Sequence, residues 1–233
     1  MTPDVLHEDD DMLAVDKPAG IVVHPTYKNR DGTLLDALPS GSRVVTRLDK
    51  WTSGVVIVAK HAAAHAVLQR ALALPDAEKI YFAIVRGIPP QSGVIDAPLA
   101  PDPADRRRRI ISLSGAPSVT EFDRLQSGDG VHGAVSVLRC RLRTGRRHQI
   151  RVHLASRGWP ILGDTVYGEA LDGVSRHALH AWRVAFTHPS TGAFVAIEAP
   201  PPQDFCSLLY SCFAEMSSGM SASAFAQFAK NRS

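Results

Sequence analysis

The chain has 233 residues, of which 45% are hydrophobic and 21% charged, and its formal net charge is +3 at pH 7. This composition is typical of a globular protein, and no apolar run reaches the roughly 18 residues that a membrane-spanning helix needs. Three cysteines without CxxC or Cys/His spacing argue against a disulfide framework and against a zinc site. The acidic start lacks the basic and apolar segments of a secretion signal, so we expect a cytoplasmic protein without a membrane partner.

The first third of the chain contains short apolar segments separated by turns. Residues 12–16 predict a strand, and residues 21–23 predict a further apolar piece of the same sheet. Residues 33–38 predict a short helix that ends at Pro39. Residues 61–74 are rich in alanine and leucine and predict a helix of three to four turns.

Residues 43–60 contain a single carboxylate, Asp49, between two apolar segments. The continuous apolar run at 55–59 is typical of a buried strand, which places Asp49 at a strand-loop-strand junction. If the chain is extended up to Asp49, its two-residue period puts Arg47 and Asp49 on one face and Leu48 on the other. The acid and the guanidinium then either line one cavity or belong to a surface hairpin, and this stretch alone leaves both interpretations open.

Two short segments have the composition of tight turns. Residues 52–54 combine two hydroxyls with a glycine and suit the turn after Asp49. Residues 127–130 predict the turn between paired strands at 118–125 and 131–142.

Residues 78–87 have a β-rich composition and end in glycine, which predicts a strand. Alternation puts Ile80, Phe82 and Ile84 on one face and Tyr81 on the other. From the strand alone, Tyr81 is better interpreted as a packed tyrosine than as a catalytic one.

Strands outnumber helices in this pattern. The further predicted elements are a short strand at 93–97, a helix at 147–157, strands at 177–186 and 193–197, and a helix at 205–214. We therefore predict an α+β fold around a large, mainly antiparallel mixed sheet flanked by helices and loops, since a βαβ order would need a helix after nearly every strand. We expect residues 1–205 to form this domain, and residues 206–233 to form a C-terminal helix and a polar tail that frays.

Arginine is concentrated in two clusters. Four arginines occupy residues 106–109, in a predicted loop, and six lie within residues 139–151. Such clusters predict a positive surface suited to phosphates, with solvated charged faces as the alternative. His61 and His65 are four residues apart on a predicted helix, but no acid or cysteine accompanies them, so packing or solvation is favoured over metal binding.

Four motifs follow one another along the chain. They are DKPAGIVVH at 16–24, RLDKWTSG at 47–54, KIYFAIVRG at 79–87 and TGRRHQIRVHLA at 144–155, with Gly163-Asp164 and Tyr167-Gly168 further on. Together they resemble the RluA-type pseudouridine synthases, over about residues 10 to 202 and in the family's order. The second and fourth motifs are far more specific than a single glycine-rich loop.

The resemblance implies an enzyme that isomerises uridine in RNA to pseudouridine without a metal or any other cofactor. It implies that Asp49 is the nucleophile, attacking either the ribose or the uracil ring. It further implies that Tyr81 stacks on the uracil and removes a sugar proton, and that Arg151 pairs with Asp49.

The resemblance also implies that the target uridine is swung out of its stack and that Arg47 enters the vacated space. The proposed phosphate contacts are Arg106, Arg107, Arg108, Arg109, Arg146 and Arg147. The expected partner is a stem-loop of ribosomal or transfer RNA, bound by a monomer. Catalytic motifs begin near residue 10, so we expect no preceding S4-like RNA-binding domain. Thr46 stands where the family usually has histidine, and we expect this to alter the support of the loop more than the reaction.

Two other functions are weighed against this one. A non-catalytic RNA chaperone on the same scaffold would explain Thr46, but a pure binder needs no acid facing a polyanion. A glycoside hydrolase would need a second carboxylate about 5 to 9.5 Å from the first, for which Asp164 and Asp36 are the candidates. Release of tritium from RNA that contains 5-tritiated uridine separates the three, because only an isomerase exchanges the hydrogen at C5.

Overall fold

A computed structural model of the protein describes residues 2–27 and 30–213. In chain order the strands of this part are β1 (Asp4–Glu8), β2 (Met12–Lys17), β3 (Arg43–Val44), β4 (Ser53–Ala59), β5 (Glu78–Arg86), β6 (Ser92–Asp96), β7 (Leu99–Pro101), β8 (Arg109–Ile111), β9 (Val119–Gly130), β10 (Gly133–Leu142), β11 (Leu179–Thr187) and β12 (Phe194–Glu198). The α helices are α1 (Ala62–Ala71), α2 (Gln149–Ser156) and α3 (Gln203–Cys212), and one 3-10 turn covers Leu35–Ala37. The prediction of an α+β fold with a mainly antiparallel arrangement is confirmed.

The chain divides into two compact units. Unit 1 comprises Met1–Lys79 and Ala181–Ala199, and unit 2 comprises Ile80–His180 and Pro200–Ser233. The candidate nucleophile Asp49 belongs to unit 1, whereas Tyr81 and Arg151 belong to unit 2.

Unit 1 is built around β4, whose seven residues are all buried. Its strands neighbour one another in the order β1-β2-β4-β11, with β3 paired to β4 and β12 to β11. Val55 and Ile57 pack in a cluster with Leu68 of α1, whereas Val56 and Val58 pack in a second cluster on the other face. Both faces of β4 are therefore covered, which explains why its sequence is continuously apolar rather than alternating.

Unit 2 contains an antiparallel sheet in the order β5-β10-β9-β6 and the separate hairpin β7-β8. Helix α2 contributes buried Ile150 and Leu154 to its core. The residues that link β7 to β8 include the first arginine cluster, so the predicted loop is confirmed for Arg106, Arg107 and Arg108.

The prediction of a turn at residues 127–130 is wrong, because these residues form the end of β9. Their glycines are needed for tertiary packing instead. A Cβ on Gly130 would lie 2.4 Å from the carbonyl oxygen of Cys212, and one on Gly128 would lie 3.1 Å from the ring of Phe213. The turn itself is made by Val131 and His132, and it is followed by Gly133, whose φ is +75°.

Several boundaries also differ from the prediction. Within residues 33–38, Leu35–Ala37 form a single 3-10 turn rather than a short α helix. Residues 21–23 form no strand, and β1 was not predicted. The predicted helix at 205–214 is present as α3, which begins at Gln203. The predicted tail lies outside the described residues.

Candidate active site

Asp49 lies in unit 1, in the loop between β3 and β4, as predicted. The extended strand predicted up to Asp49 is wrong, since β3 ends at Val44. Beyond that point Thr46 binds β4 twice: its amide donates to the carbonyl oxygen of Ile57 at 3.1 Å, and its hydroxyl oxygen accepts from the amide of Ile57 at 2.8 Å. Thr46 thus joins the loop to β4 through both its side chain and its main chain.

The side chains around the acid differ in exposure. Arg47 is exposed, Asp49 is half-buried, and Leu48 packs against the cluster that contains Val15 and Leu34. Leu48 therefore anchors this part of the loop to the core, as the sequence analysis expected.

The turn after Asp49 begins two residues earlier than the predicted turn at residues 52–54. The amide of Thr52 donates to the carbonyl oxygen of Asp49 at 3.1 Å, which puts Lys50 and Trp51 at the corner. Gly54 belongs to β4 instead, with φ at +115°, and a Cβ there would lie 2.1 Å from the carbonyl oxygen of Ala181. This glycine is required by a neighbouring strand rather than by a turn.

Lys17 supports the Asp49 turn through a hydrogen bond to the carbonyl oxygen of Lys50. The sequence patterns did not single out this lysine as a site residue. Its side chain is fully buried, and its ammonium donates to the carbonyl oxygens of Pro18, Ile21 and Lys50 at 2.8, 3.0 and 3.2 Å. The amide of Gly20 donates to the same Lys50 oxygen at 2.9 Å. The KPAG turn of the first motif and the Asp49 turn of the second are thus joined through one carbonyl group.

Asp16 is the neighbour of Lys17 on β2 and lies opposite Asp4 of β1. Burial, together with the negative charge of Asp4, raises the pKa of Asp16 to about 6. A hydrogen bond from the amide of Gly54 and the charge of Lys17 oppose this rise. Besides Asp49, unit 1 therefore contains a largely buried carboxylate whose pKa lies well above its usual range.

Tyr81 lies on β5 in unit 2, opposite Cys140 of β10. It is half-buried, as is Ile80, whereas the next four residues, 82–85, are fully buried. Both faces of this part of β5 are therefore covered, and the predicted separation of the phenol from the bulky apolar layer stays a prediction. The catalytic role of Tyr81 stays a prediction.

Arg151 lies on α2 and is 5% exposed. Its Nε and Nη2 donate to the two carboxylate oxygens of Asp164 at 2.7 and 2.8 Å, which is a bidentate pair. The amides of Val166 and Tyr167 donate to Oδ1 of the same carboxylate at 3.0 and 3.2 Å. Burial alone would raise the pKa of Asp164, but the hydrogen bonds and charge of Arg151 outweigh burial and lower it. The predicted pairing of Arg151 with Asp49 stays a prediction.

The other polar residues of the fourth motif fix α2 to β9. Gln149 accepts at Oε1 from the amide of Arg146 and the hydroxyl of Thr144, and it donates from Nε2 to Val119 and Thr120. His153 is fully buried, with Nδ1 2.9 Å from Oγ1 of Thr120 and Nε2 2.9 Å from the carbonyl oxygen of Ala97. These bonds explain why the motif needs polar residues on a buried helix.

The helix begins at Gln149, two residues later than predicted. His148 precedes it in the left-handed conformation, with φ at +59°. Arg147, which the prediction placed in this helix, therefore lies outside it.

The candidate RNA-binding arginines of unit 2 differ in their contacts. Arg106, Arg107, Arg146 and Arg147 are exposed, and Arg108 and Arg109 are half-buried. Hydrogen bonds from Arg107 lower the pKa of Asp105 to about 2, and Arg108 lies 3.6 Å from Asp102. Nη2 of Arg147 donates to the carbonyl oxygen of Arg107 at 3.5 Å, so members of the two clusters meet in unit 2.

The two candidates for the second carboxylate of a glycoside hydrolase both have hydrogen-bond partners in the structure. Asp36 accepts a hydrogen bond from the amide of Thr33 at 2.9 Å, and Asp164 binds Arg151. Within residues 2–27 and 30–213, no group of three or more His, Cys, Asp or Glu side chains is arranged to hold a metal ion. His61 instead caps α1, and its Nε2 lies 3.1 Å from Asp11.

A cavity of about 380 Å³ in unit 2 lies beside α3. It is lined by residues 172–176 and by α3 side chains such as Phe205 and Leu208, and none of the predicted site residues lines it. In the same described part of the chain, no helix is both long and apolar enough to cross a membrane.

Comparison with known proteins identifies the family. A profile of the RNA pseudouridylate synthase family matches residues 11–156, a range that contains Asp49, Tyr81 and Arg151. Ribosomal large subunit pseudouridine synthase D of Nitrosomonas europaea is 41% identical over 223 residues, covering 88% of this chain and 64% of that protein. An uncharacterized RNA pseudouridine synthase of Bacillus subtilis, YhcT, is 38% identical over 220 residues, covering 90% of this chain and 72% of that protein.

Solved structures agree with these sequence matches. Human RNA pseudouridylate synthase domain containing 1 superposes with a TM-score of 0.71 at 29% identity, covering 86% of this chain and 84% of that chain. The human domain containing 4 has the same TM-score at 24% identity and supports the fold alone. The chain belongs to the RNA pseudouridylate synthase family, which confirms the predicted resemblance. It spans 64% and 68% of the length of the two synthase D relatives from Nitrosomonas europaea and Xanthomonas campestris.

Proposed function

We propose that the protein isomerises uridine to pseudouridine in RNA, with Asp49 as the nucleophile. The observation that carries the proposal is that one family match spans Asp49, Tyr81 and Arg151. The buried hydrogen bonds of Lys17 and the bidentate Arg151–Asp164 pair support it, because each fixes the segment that carries one of these residues.

The reaction is a balanced rearrangement. The bond between N1 of uracil and C1′ of ribose breaks, C5 bonds to the same C1′, C5 loses its hydrogen as a proton, and N1 gains one. The Asp49 carboxylate forms a transient covalent bond with the ribose or the uracil ring and is regenerated at the end. The isomerisation has no net oxidation or reduction and needs no co-reactant.

Tritium release from RNA that contains 5-tritiated uridine tests the nucleophile. We expect release by the wild-type protein and none by Asp49→Asn. Asp31→Asn, an exposed acid of the same unit, is the matched control and should behave like the wild type. Tight RNA binding by a wild-type protein that releases no tritium would instead favour the non-catalytic alternative.

The synthase D relatives are named for the ribosomal large subunit. We therefore propose large-subunit ribosomal RNA as the first substrate class to test, with transfer RNA stem-loops as the second. Mapping of pseudouridines in cells with and without the protein identifies the modified position directly. Loss of a pseudouridine from transfer RNA alone would contradict the ribosomal assignment.

Base flipping is assigned to Arg47, which is exposed and two residues before the proposed nucleophile. Extruding a stacked base costs a few kcal/mol, so a side chain that fills the vacated space accelerates turnover on folded RNA. Arg47→Ala should lower turnover on a stem-loop about tenfold or more, and less on unstructured RNA. Arg43→Ala, which removes an exposed arginine of β3, is the control. Equal losses on both RNAs would argue against the wedge.

Phosphate binding is assigned to the arginines at 106–109, 146 and 147. If they contact phosphates, RNA affinity falls steeply with salt concentration, by a logarithmic slope of about 0.7 per contact on single strands. Arg106→Ala should reduce that slope by about one contact. An unchanged slope would remove this arginine from the RNA-binding surface.

A further inference from the structure

Tyr167 lies in unit 2 outside the machinery described so far, yet its hydroxyl joins two functional segments. The amide of Arg109 donates to Oη of Tyr167 at 2.7 Å, and a second hydrogen bond, of 2.8 Å, joins Oη to Nδ1 of His148. Arg109 directly follows the arginine loop, defined as residues 102–108, and is the first residue of β8, whereas His148 is the residue before α2. One phenol oxygen therefore connects the arginine loop to the start of the helix that carries Arg151.

The ring of the same tyrosine faces two guanidinium groups. Its centroid lies 5.1 Å from the guanidinium carbon of Arg151 and 5.4 Å from that of Arg108. Both distances fall within the roughly 6 Å over which a cation is attracted to an aromatic face. The amide of Tyr167 also donates to Oδ1 of Asp164, the carboxylate that binds Arg151. Ring, hydroxyl and backbone thus contact the arginine loop and the Arg151–Asp164 pair at the same time.

The backbone of His148 is an independent indication. Its φ of +59° is a left-handed conformation that side chains other than glycine rarely adopt, and it persists where surrounding contacts hold it. The His148 ring meets the Tyr167 ring edge-on, with a centroid separation of 5.6 Å, in addition to the hydrogen bond. These contacts with Tyr167 compensate the unfavourable backbone of the residue that precedes α2.

We propose that Tyr167 is a positioning residue that couples the arginine loop to Arg151. RNA bound by the arginine loop holds Arg108 and Arg109 against Tyr167, and the tyrosine then fixes the orientation of the Arg151 guanidinium. The inference rests on the proposed function for the nature of the ligand. A tyrosine that only filled space would need neither hydroxyl contact, because phenylalanine would pack equally well.

Two substitutions separate the hydroxyl from the ring. Tyr167→Phe keeps the ring against both guanidinium groups and removes the bonds to Arg109 and His148. We expect KM for RNA to rise about tenfold, the effect of one to two lost hydrogen bonds, with kcat within about twofold of the wild type. Tyr167→Leu also removes the aromatic face, so kcat should fall about tenfold as well.

Tyr210→Phe is the matched control, because the buried hydroxyl of Tyr210 in α3 has no hydrogen-bond partner within the described residues. This control should match the wild type in KM, kcat and thermal midpoint. A merely structural role of Tyr167 predicts a lower thermal midpoint with kcat reduced at an unchanged KM in both variants, and that result would overturn the inference. Equal KM values for Tyr167→Phe and the wild type would also overturn it.

Measuring RNA binding separately from catalysis distinguishes failure of the inference from failure of the proposed function. Tritium release by the wild type reports the proposed function, whereas the dissociation constant and its salt slope report the coupling. A Tyr167→Phe protein with an RNA dissociation constant raised about tenfold and a lower salt slope supports the coupling even if no tritium is released. An unchanged dissociation constant and slope overturn it even if the wild type is fully active.

Discussion

The segments that carry Asp49 in unit 1 and Arg151 in unit 2 are held in place by different kinds of contact. The Asp49 turn is fixed by main-chain groups, through the Gly20 and Thr52 amides and the carbonyl oxygen that Lys17 binds. Arg151 is fixed by side chains, through the Asp164 carboxylate and the Tyr167 ring. The first arrangement follows from the fold of the backbone, and the second follows from charge.

This difference sets how each segment responds to change. Main-chain hydrogen bonds survive most side-chain substitutions, so the Asp49 turn depends on one buried lysine and on glycines that allow close approach. A buried ion pair fails when either partner is removed, because the remaining charge is left in a poorly solvated environment. Substitutions in unit 2 should therefore have the larger effects on stability.

The largest expected effect is that of Asp164→Ala. It removes the bidentate partner of the buried Arg151 guanidinium, so the free energy of unfolding at pH 7 should fall by about 3 to 5 kcal/mol. Asp164 has a lowered pKa, so its stabilising contribution is complete above the unfolded pKa of about 3.9 and is lost as pH falls through the folded pKa. Urea unfolding across this pH range measures both effects.

Asp105→Asn is the control for Asp164→Ala, because Asp105 pairs with an exposed arginine in the arginine loop. It should leave stability unchanged. If Asp164→Ala were as mild as this control, the contrast between the two segments would not hold.

Lys17→Met should have the next largest effect. It leaves the carbonyl oxygens of Pro18, Ile21 and Lys50 without their shared donor, which should lower the free energy of unfolding by about 2 kcal/mol. Since one of these carbonyls belongs to the Asp49 turn, turnover should fall more than RNA affinity does. Steady-state kinetics and urea unfolding measure the two effects.

Lys60→Met is the matched control, because Lys60 binds Glu8 at the surface of the same unit. It should change neither turnover nor stability appreciably. Full activity of Lys17→Met would show that main-chain contacts alone suffice for the Asp49 turn.

Asp16→Asn is a substitution in unit 1 that we expect to raise the free energy of unfolding rather than lower it. Burial and Asp4 raise the pKa of Asp16 to about 6. Above that pH the ionised carboxylate therefore lowers the free energy of unfolding. The amide variant keeps an acceptor for Gly54 and should gain about 2 kcal/mol at pH 8. The gain should disappear near pH 4, where Asp16 is protonated in the folded wild type. A gain that did not depend on pH would point to a packing effect instead.

The sequence patterns predicted most of the architecture but few of the contacts that support the site. The strand that carries Tyr81 follows from its β-rich composition, and the motifs located Asp49 and Arg151 correctly on a loop and a helix. The strand before α1 follows from its continuous apolar run, because both faces of β4 are covered. The start of α2 could not be predicted, since the left-handed backbone of His148 depends on a tyrosine 19 residues away.

The close approach of distant backbone segments also explains why two glycines were wrongly predicted to lie in turns. Gly54 and Gly130 have the neighbours typical of turns, yet each lies in a strand where a distant backbone comes too close for a Cβ. In the same way, the roles of Lys17 and Asp164 depend on partners 33 and 13 residues away. Local composition indicates the conformation that a residue favours. The roles of these four residues are instead determined by the distant groups that the fold brings next to them.

The smallest expected effect is that of His153, a buried residue of α2. It extends the comparison of the two segments to an uncharged side chain. Burial lowers the pKa of His153, so the folded protein keeps it neutral while the unfolded chain binds a proton below about pH 6.5. The contribution of this residue to stability should therefore fall as pH drops from 7.5 to 5.5. His153→Gln should be less stable at pH 7.5 and should lose that part of the pH dependence in urea unfolding. An unchanged pH dependence between pH 7.5 and 5.5 would show that protonation of His153 is not what destabilises the protein in that range.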